Sequence, residues 1–399
     1  MPDHTIVFDG EKIAMTATSS AAPAAERLAA VLNAGSSSLK YELFTVAGGS
    51  VAAGNVERIG QSDGCANHDV AVERALADFT TRIPTWRERV VAVGHRVVHG
   101  GSTLFQPTRV DASVLAELER SVPLAPLHLP PALHVIRAAQ RLLDHVPHVL
   151  VFDTGFHRDL PAVARTYAIP TEVAERWAIR RYGAHGISYE YLIGRLAEVD
   201  GGRRRVILCH LGAGSSITAV LEGHAIDTSM GFTPLEGLVM ATRSGDLDPA
   251  IVLYLQEEAG LSTSDVSSML ETRSGLKGLT GTSGDFREVE KQAAAGDERS
   301  RLALDLFAYR IRKYLGAYWA ILGGLDAVVF AGGIGENSAS LRAAVLTPLA
   351  AMGIEIDPIL NESGLPERKI NRSTAPVAAW VIPTRESLTI ARHALAFAT

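Results

Sequence analysis

Apolar and polar positions follow two rhythms along this chain. Leu28 to Leu32, Val90 to His99, His148 to Asp153, Arg205 to His210, Ala327 to Phe330 and Ala379 to Pro383 are short, mostly apolar runs. Runs of that length next to Gly, Pro, Asn or Asp predict buried strands. Leu39 to Phe44 and Ile217 to Leu221 mix polar and apolar residues, as half-buried strands do. Between them the period lengthens. Asp111 to Arg120 predicts a helix with an aspartate cap, and Pro130 to His145 a stronger one. The latter has prolines at its start and Leu133, Ile136, Ala139 and Leu143 on one face. Ser188 to Val199, Asp248 to Ala259, Arg299 to Leu322, about Ser338 to Met352, and the segment after Pro383 complete the helices. Strands alternating with helices put the chain in the α/β class.

The N-terminus follows neither rhythm. After one strand-like stretch, Thr5 to Phe8, residues Thr16 to Ala25 are a run of Ala, Ser, Thr and Pro. The expectation is a flexible leader over residues 1–27, with the folded body starting near Arg27. Within the body one string recurs: Ala34-Gly35-Ser36-Ser37 reappears as Ala213-Gly214-Ser215-Ser216, each time between two strand-like segments. That predicts a duplicated strand-turn-strand unit. Two Gly/Ser turns facing one cleft would offer backbone N–H groups and hydroxyls to an anion, and Lys40 adds a positive charge beside the first. A nucleoside triphosphate fits that geometry. A third glycine turn, Ala331 to Asn337, joins a strand to a helix. Its glycine spacing departs from a dinucleotide fingerprint, so it reads either as a bare-backbone shelf for adenosine or as a plain packing turn.

Composition narrows the classes. With 399 residues, 47% of them hydrophobic, the chain has room for two domains of about 150–200 residues each. A formal net charge of -6 argues against nucleic acid or an anionic membrane as partner, because those need a basic excess. Cys65 and Cys209 are the only cysteines, far apart, and suggest neither a disulfide framework nor a zinc site. No apolar run reaches the roughly 18 residues of a spanning helix, and no signal-peptide pattern opens the chain. The expected compartment is the cytoplasm.

Eight strings then fall into one order: Asn33-Ala-Gly-Ser-Ser-Ser-Leu-Lys40, Gly94-His-Arg-Val-Val-His-Gly-Gly101, Phe152-Asp-Thr-Gly-Phe-His157, Tyr182-Gly-Ala-His-Gly186, Asp227-Thr-Ser-Met-Gly231, Thr242-Arg-Ser-Gly-Asp-Leu-Asp-Pro249, Gly284-Asp-Phe-Arg287 and Gly332-Gly-Ile-Gly-Glu-Asn337. Together they resemble the acetate kinase family, over about residues 29 to 396. The resemblance implies an α/β fold of two duplicated actin- and sugar-kinase-like (ribonuclease H-like) domains around a central cleft. Here these would be residues 28–153 with 388–399, and residues 154–387. It further implies a homodimer and reversible phosphoryl transfer between ATP and acetate, or another short-chain carboxylate, with Mg2+ or Mn2+.

Carried over residue by residue, the resemblance puts Arg96, Asp153, His185 and Arg243 on catalytic positions, and Asn33 and Glu386 on metal-associated ones. Asn33, Ser36, Ser38, Lys40, His210, Gly212 and Gly214 fall on the phosphate side. Asp285, Phe286, Arg287, Gly332, Gly333, Gly335, Glu336 and Asn337 fall on the nucleotide side. Arg96, Val98, Leu127, His128, Ala184 and Pro234 would surround the acyl group. Asp153 ends a strand, where a carboxylate holds magnesium or its waters, or simply forms a turn.

The chemistry agrees with a carboxylate acceptor. A carboxylate is ionised at neutral pH and needs no general base, whereas the hydroxyl acceptor of a sugar kinase does. The obstacle is repulsion between anions, which arginines, a histidine and magnesium offset by positioning and electrostatics. Three departures from the family pattern stand out. Ala213 replaces an Asn, Ala184 a Phe, and Leu129 the Asn that usually follows the histidine at 128. The first predicts weaker nucleotide binding, with more of the phosphate organisation left to Asn33, Ser36, Ser38 and Lys40. The second predicts a larger acyl pocket that accepts propionate or butyrate. The same replacements also fit a non-catalytic nucleotide-binding homologue.

Overall fold

The computed structural model describes residues 26–398, so the expected strand at Thr5 to Phe8 lies outside the described residues. The first sheet holds β1 (Leu28–Ala34), β2 (Leu39–Thr45), β3 (Ser50–Val56), β4 (Val90–Val97), β5 (Thr108–Arg109) and β6 (His148–Phe152), in the order β3-β2-β1-β4-β6-β5. The second holds β7 (Arg205–Leu211), β8 (Ser215–Leu221), β9 (His224–Thr228), β10 (Ala327–Ala331), β11 (Arg368–Lys369) and β12 (Ala378–Val381), in the order β11-β12-β10-β7-β8-β9.

Both sheets have one plan. An antiparallel meander (β1 to β3, β7 to β9) is followed by two strands parallel to its first member (β4 and β6, β10 and β12), and a two-residue strand closes the far edge. Parallel strands covered on both faces read as unbroken apolar runs, which is why β1, β6, β7 and β10 were legible. The chain is therefore α/β with two domains of the same topology. The four-residue echo itself is out of register, however. Ala34 is the last residue of β1 and pairs with Leu39, whereas Ala213 sits inside a turn closed by the Leu211 and Ser215 pair. By strand pairing the residue that matches Asn33 is His210.

Each sheet is covered on two faces. Helices His68–Arg82 and Leu129–Leu142 bury Ala71, Leu76, Phe79, Val135 and Ala139 against one face of the first sheet. Helix Glu298–Leu322 buries Phe307, Ile311 and Leu315 against one face of the second. On the inner faces the coverage crosses over. The C-terminal helix, Glu386–Leu395, follows the second sheet yet packs Leu388, Ile390 and Ala394 on the first. Helix Gly186–Asp200 lays Tyr189, Leu192 and Leu196 on the second. Gly94 makes the first contact possible, since a Cβ there would stand 2.5 Å from the Ile390 side chain. The two inner helices thus tie the domains together beneath the cleft.

Some expected elements changed. The helix from Ser338 to Met352 is α-helical only over Ala339–Leu346 and continues as a 3-10 turn, Thr347–Met352, because Pro348 has no N–H to continue the ladder. Helices His68–Arg82 and Thr263–Thr272 were not among the expected elements. No helix among the described residues is long and apolar enough to cross a membrane. Cys65 and Cys209 are buried and unpaired.

Candidate functional site

The carboxyl ends of the parallel strands of both sheets meet at one cleft of about 720 Å³. From the first sheet come Asn33 at the end of β1, Gly35, Ser38 and Lys40 of the first hairpin, and Arg96 of β4. The second contributes His210 of β7, the turn Gly212 to Gly214, and Gly332, Gly333 and Glu336 after β10. His185 and Glu386, which start the two inner helices, line it as well.

Arg96 is the hub of the first-sheet side. Its Nη2 donates to Asp153 Oδ2 at 2.6 Å and its Nε to the same oxygen at 3.1 Å, a forked pair. Nη1 donates to Asn33 Oδ1 at 3.4 Å, and Glu386 Oε2 lies 3.9 Å from Nε. Asp153 is 1% exposed. Burial pushes its carboxyl up, Arg96 opposes that, and the nearby Glu386 adds to the rise. The guanidinium is held firmly protonated against its own burial by Asp153 and Glu386. Asn33, Asp153 and Glu386 therefore bring three hard oxygen donors around one arginine.

His185 has a left-handed backbone, φ 59°, which costs an L-residue about 1–3 kcal/mol. The N–H of Gly186 donates to the Asp153 carbonyl at 2.7 Å, so this turn locks the end of β6 to the start of the inner helix. The His185 ring stacks on His210 with centroids 4.2 Å apart. A Cβ built on Gly214 would stand 2.9 Å from Arg243 Nη2 and 3.5 Å from His185 Nε2, which places both groups against the second hairpin. Arg243 Nη1 donates to the Pro234 carbonyl at 2.8 Å. His128 belongs to the same neighbourhood: burial, then the charges of Arg243 and Arg96, push it down to about 4. His210 also falls to about 4, mainly through burial.

Beside the cleft lies a second cavity of about 830 Å³, sharing Gly212, Ala213 and Gly333 with it. Asp285, Phe286, Arg287 and Asn337 line it. Asp285 caps helix Phe286–Ala294 and pairs with the exposed Arg287. Three of the residues expected on the nucleotide side also make contacts within the protein. Gly335 packs toward Leu211 and Phe330, Glu336 Oε1 accepts the N–H groups of Gly332 (2.8 Å) and Thr384 (3.2 Å), and Asn337 Nδ2 donates to the Gly333 carbonyl. Ser36 stands exposed at the hairpin tip. Ala184 is buried against Met230 and Met240. Val98 packs with the Leu129 and Phe152 cluster, and Leu127 is 48% exposed.

Sequence reasoning missed the supports. Arg342, fully buried, donates to the carbonyls of Gly335 and Glu336 and to Asn361, holding the third glycine turn from below. Arg181 donates to the carbonyls of Thr228, Ser229 and Met230 and pairs with Glu236 at 2.6 Å. Tandem Arg180-Arg181 before the Tyr182 string was the one available signal.

Buried histidines make this fold acid-sensitive. His148 Nε2 must donate to the Leu143 carbonyl (3.0 Å), so its Nδ1 accepts from His95 Nε2 at 3.0 Å. A second proton on His148 would set two N–H groups against each other. Burial pushes His95 well down, His99 to about 4 and His157 to about 3. All three are neutral when folded and titrate near about 6.5 when unfolded. The unfolded chain then binds more protons, so stability is complete above about pH 6.5 and falls toward pH 4, by up to about 1.4 kcal/mol per group per pH unit. The melting temperature should drop steeply between pH 6.5 and 4.5. A flat profile there would contradict the neutral assignment.

A family model described as the acetokinase family matches residues 28–392. An acetate kinase of Heliobacterium modesticaldum is 44% identical over 387 residues, covering 91% of this chain and 97% of the relative. The crystal structure of Porphyromonas gingivalis acetate kinase is 38% identical, with a TM-score of 0.87 over 94% of this chain and all of that one. A propionate kinase structure from Francisella tularensis has the same identity and TM-score, over 93% of this chain.

Proposed function

The chain belongs to the acetokinase family and is a phosphotransferase with a carboxyl group as acceptor, and on that premise we propose how its cleft carries out transfer between ATP and acetate. The observation that carries the reading is the convergence of Arg96, Arg243, His185 and His128 where the two hairpins meet. All four can donate, and none is suited to remove a proton: a guanidinium has no basic lone pair to offer, and burial makes both imidazoles weak bases. A carboxylate nucleophile requires no more than that.

In this reading the triphosphate lies along the two hairpins, with the nucleoside in the cavity bounded by Asp285, Phe286 and Asn337. A carboxylate oxygen, oriented by Arg96 and Arg243, attacks the terminal phosphorus. The bond to the bridging oxygen breaks, ADP leaves with that electron pair, and no proton moves. Arg243 and His185 donate to the equatorial oxygens as negative charge builds on them. Asn33, Asp153 and Glu386 suit magnesium, which takes one or two carboxylates and completes its shell with water and phosphate. When bound, that ion would neutralise phosphate charge. Among the described residues no group of three His, Cys, Asp or Glu that could hold a metal ion is found, so the ion would depend on water and phosphate for its remaining ligands. We also read the chain as a homodimer, supported by helix Pro249–Glu257, which half-buries Val252 and Leu255 and exposes Ile251, Leu253 and Tyr254. A monomer by sedimentation velocity would remove that part.

Trapping acyl phosphate as hydroxamate, with ATP, magnesium and a panel of short carboxylates, tests the reading. Turnover of none would leave a nucleotide-binding homologue. The same assay reads chain length. Ala184 packs on Met230 and Met240, neither of them aromatic, and the expectation is that they leave the volume of the missing ring open to the acyl chain. One methylene in an apolar pocket is worth about 1–3 kcal/mol. Propionate is therefore expected to reach kcat/KM within about tenfold of acetate, and Ala184→Phe to restore a clear acetate preference. A strong acetate preference in the unmodified enzyme would refute the enlarged pocket.

A further inference from the structure

The second hairpin carries two serines, and neither side chain is free for phosphate. Ser215 Oγ donates to the Gly212 carbonyl at 3.0 Å and accepts from its N–H. Ser216, fully buried, turns away from the cleft: its Oγ lies 2.8 Å from His185 Nδ1 and 2.5 Å from the Tyr189 hydroxyl. Tyr189 is itself 0% exposed and belongs to the inner helix that His185 begins. A matching contact holds the neighbouring ring, where Ser188 Oγ stands 2.9 Å from His210 Nδ1. Two stacked imidazoles are thus each gripped at Nδ1 by a buried serine.

We propose that Tyr189 and Ser216 are positioning residues that fix the tautomer of His185, so that Nδ1 is always an acceptor and Nε2 always carries the proton. The direction follows from acidity. Either hydroxyl can donate in the short Tyr189 to Ser216 contact, and the phenol, by far the stronger acid, is assigned as the donor and serine as the acceptor. The single proton of Ser216 is then left for His185 Nδ1. With Nδ1 occupied as acceptor, a neutral ring must bear its hydrogen on Nε2, the atom that faces Gly214 and Arg243. Burial, reinforced by His210 and the two arginines, keeps the ring from taking a second proton. Phosphoryl oxygens only accept hydrogen bonds. The opposite tautomer would point a lone pair at them, so Ser216 converts an ambivalent side chain into a dedicated donor. Its sequence neighbourhood reads as a phosphate loop, yet its role is to orient a donor carried by the adjoining inner helix.

This assignment rests on the phosphoryl-transfer reading, but its primary test does not need turnover. Long-range 1H–15N correlation spectra of the resting full-length protein, with His185→Gln to identify the signal, should show the Nε2–H tautomer. Finding Nδ1–H overturns the proposal even in an active enzyme. Ser216→Ala and Tyr189→Phe should each shift His185 toward a mixture of tautomers and lower kcat, by about 10–100-fold for Ser216→Ala and less for Tyr189→Phe, with KM for ATP within about threefold. Ser216→Thr, which keeps the hydroxyl, should recover the spectrum and most of kcat. A fall in kcat with the Nε2–H signal unchanged would make both residues merely structural and would also overturn the proposal. Absence of kinase activity with the expected spectrum would count against the function alone.

Discussion

Arg243→Ala is expected to lower kcat by about a thousandfold or more while leaving the melting temperature unchanged or slightly raised. The two arginines of the cleft differ in one respect that decides this. Arg96 is already neutralised by Asp153 at 2.6 Å. Among the described residues the Arg243 guanidinium forms no salt bridge, and its one hydrogen bond goes to the Pro234 carbonyl. Burial pulls its pKa down, and only the more distant Glu271 supports it. A partly buried guanidinium without a counter-ion is a cost to the folded chain, offset when an anion arrives. Most of its charge is therefore available to the reacting phosphoryl and carboxylate groups. Removing it should relieve the resting protein and cripple the reaction. Arg243→Lys should recover only part of the loss, since an ammonium cannot reproduce the planar fork. Steady-state kcat beside a thermal melt checks both halves. A kcat within tenfold of the unmodified enzyme, or a large fall in melting temperature, would show that Arg243 braces the Pro234 loop instead.

The sequence made one layer of this site legible and hid the next. Residues that end strands next to glycine turns (Asn33, Arg96, Asp153, His210, Gly332) were visible because buried parallel strands are continuous apolar runs and a polar residue at their end stands out. The glycines announced themselves for a related reason: at Gly332, φ 76°, an added Cβ would fall 2.6 Å from the Leu211 carbonyl. Nothing comparable marks Ser216, Tyr189 or Arg342. Their partners lie in other elements, and a buried serine in an apolar strand has the same local pattern whether it grips a histidine or a backbone carbonyl. The literal Gly-Ser-Ser echo pointed to a true duplication through a misaligned match, because chain pairing, not residue identity, sets the equivalence of Asn33 and His210. The crossover of the C-terminal helix onto the first sheet was legible only through the family resemblance, which groups residues 388–399 with 28–153, and not from the helix's own pattern. An amphipathic period says that a helix has a buried face, not which sheet receives it.

The other large effect belongs to Asp153, and it should differ in kind. Asp153→Ala leaves Arg96 in place with only Glu386, 3.9 Å away, to balance it. Breaking a buried pair by removing one partner typically costs about 3–5 kcal/mol, so this variant should lose stability as well as activity. Asp153→Asn keeps an acceptor for the guanidinium and should lose less stability, yet most of the turnover, because the charge that aligns Arg96 and suits magnesium is gone. A double replacement separates the two roles. Arg96→Met with Asp153→Leu substitutes apolar volume for the ion pair, an exchange that is often neutral or stabilising in protein interiors. Stability should then return to within about 1 kcal/mol of the parent, while hydroxamate formation stays at background. The pair would be retained for the reaction at no net benefit to the fold. If the double variant recovered activity along with stability, Arg96 and Asp153 would be a scaffold, and the burden of catalysis would shift to Arg243 and His185.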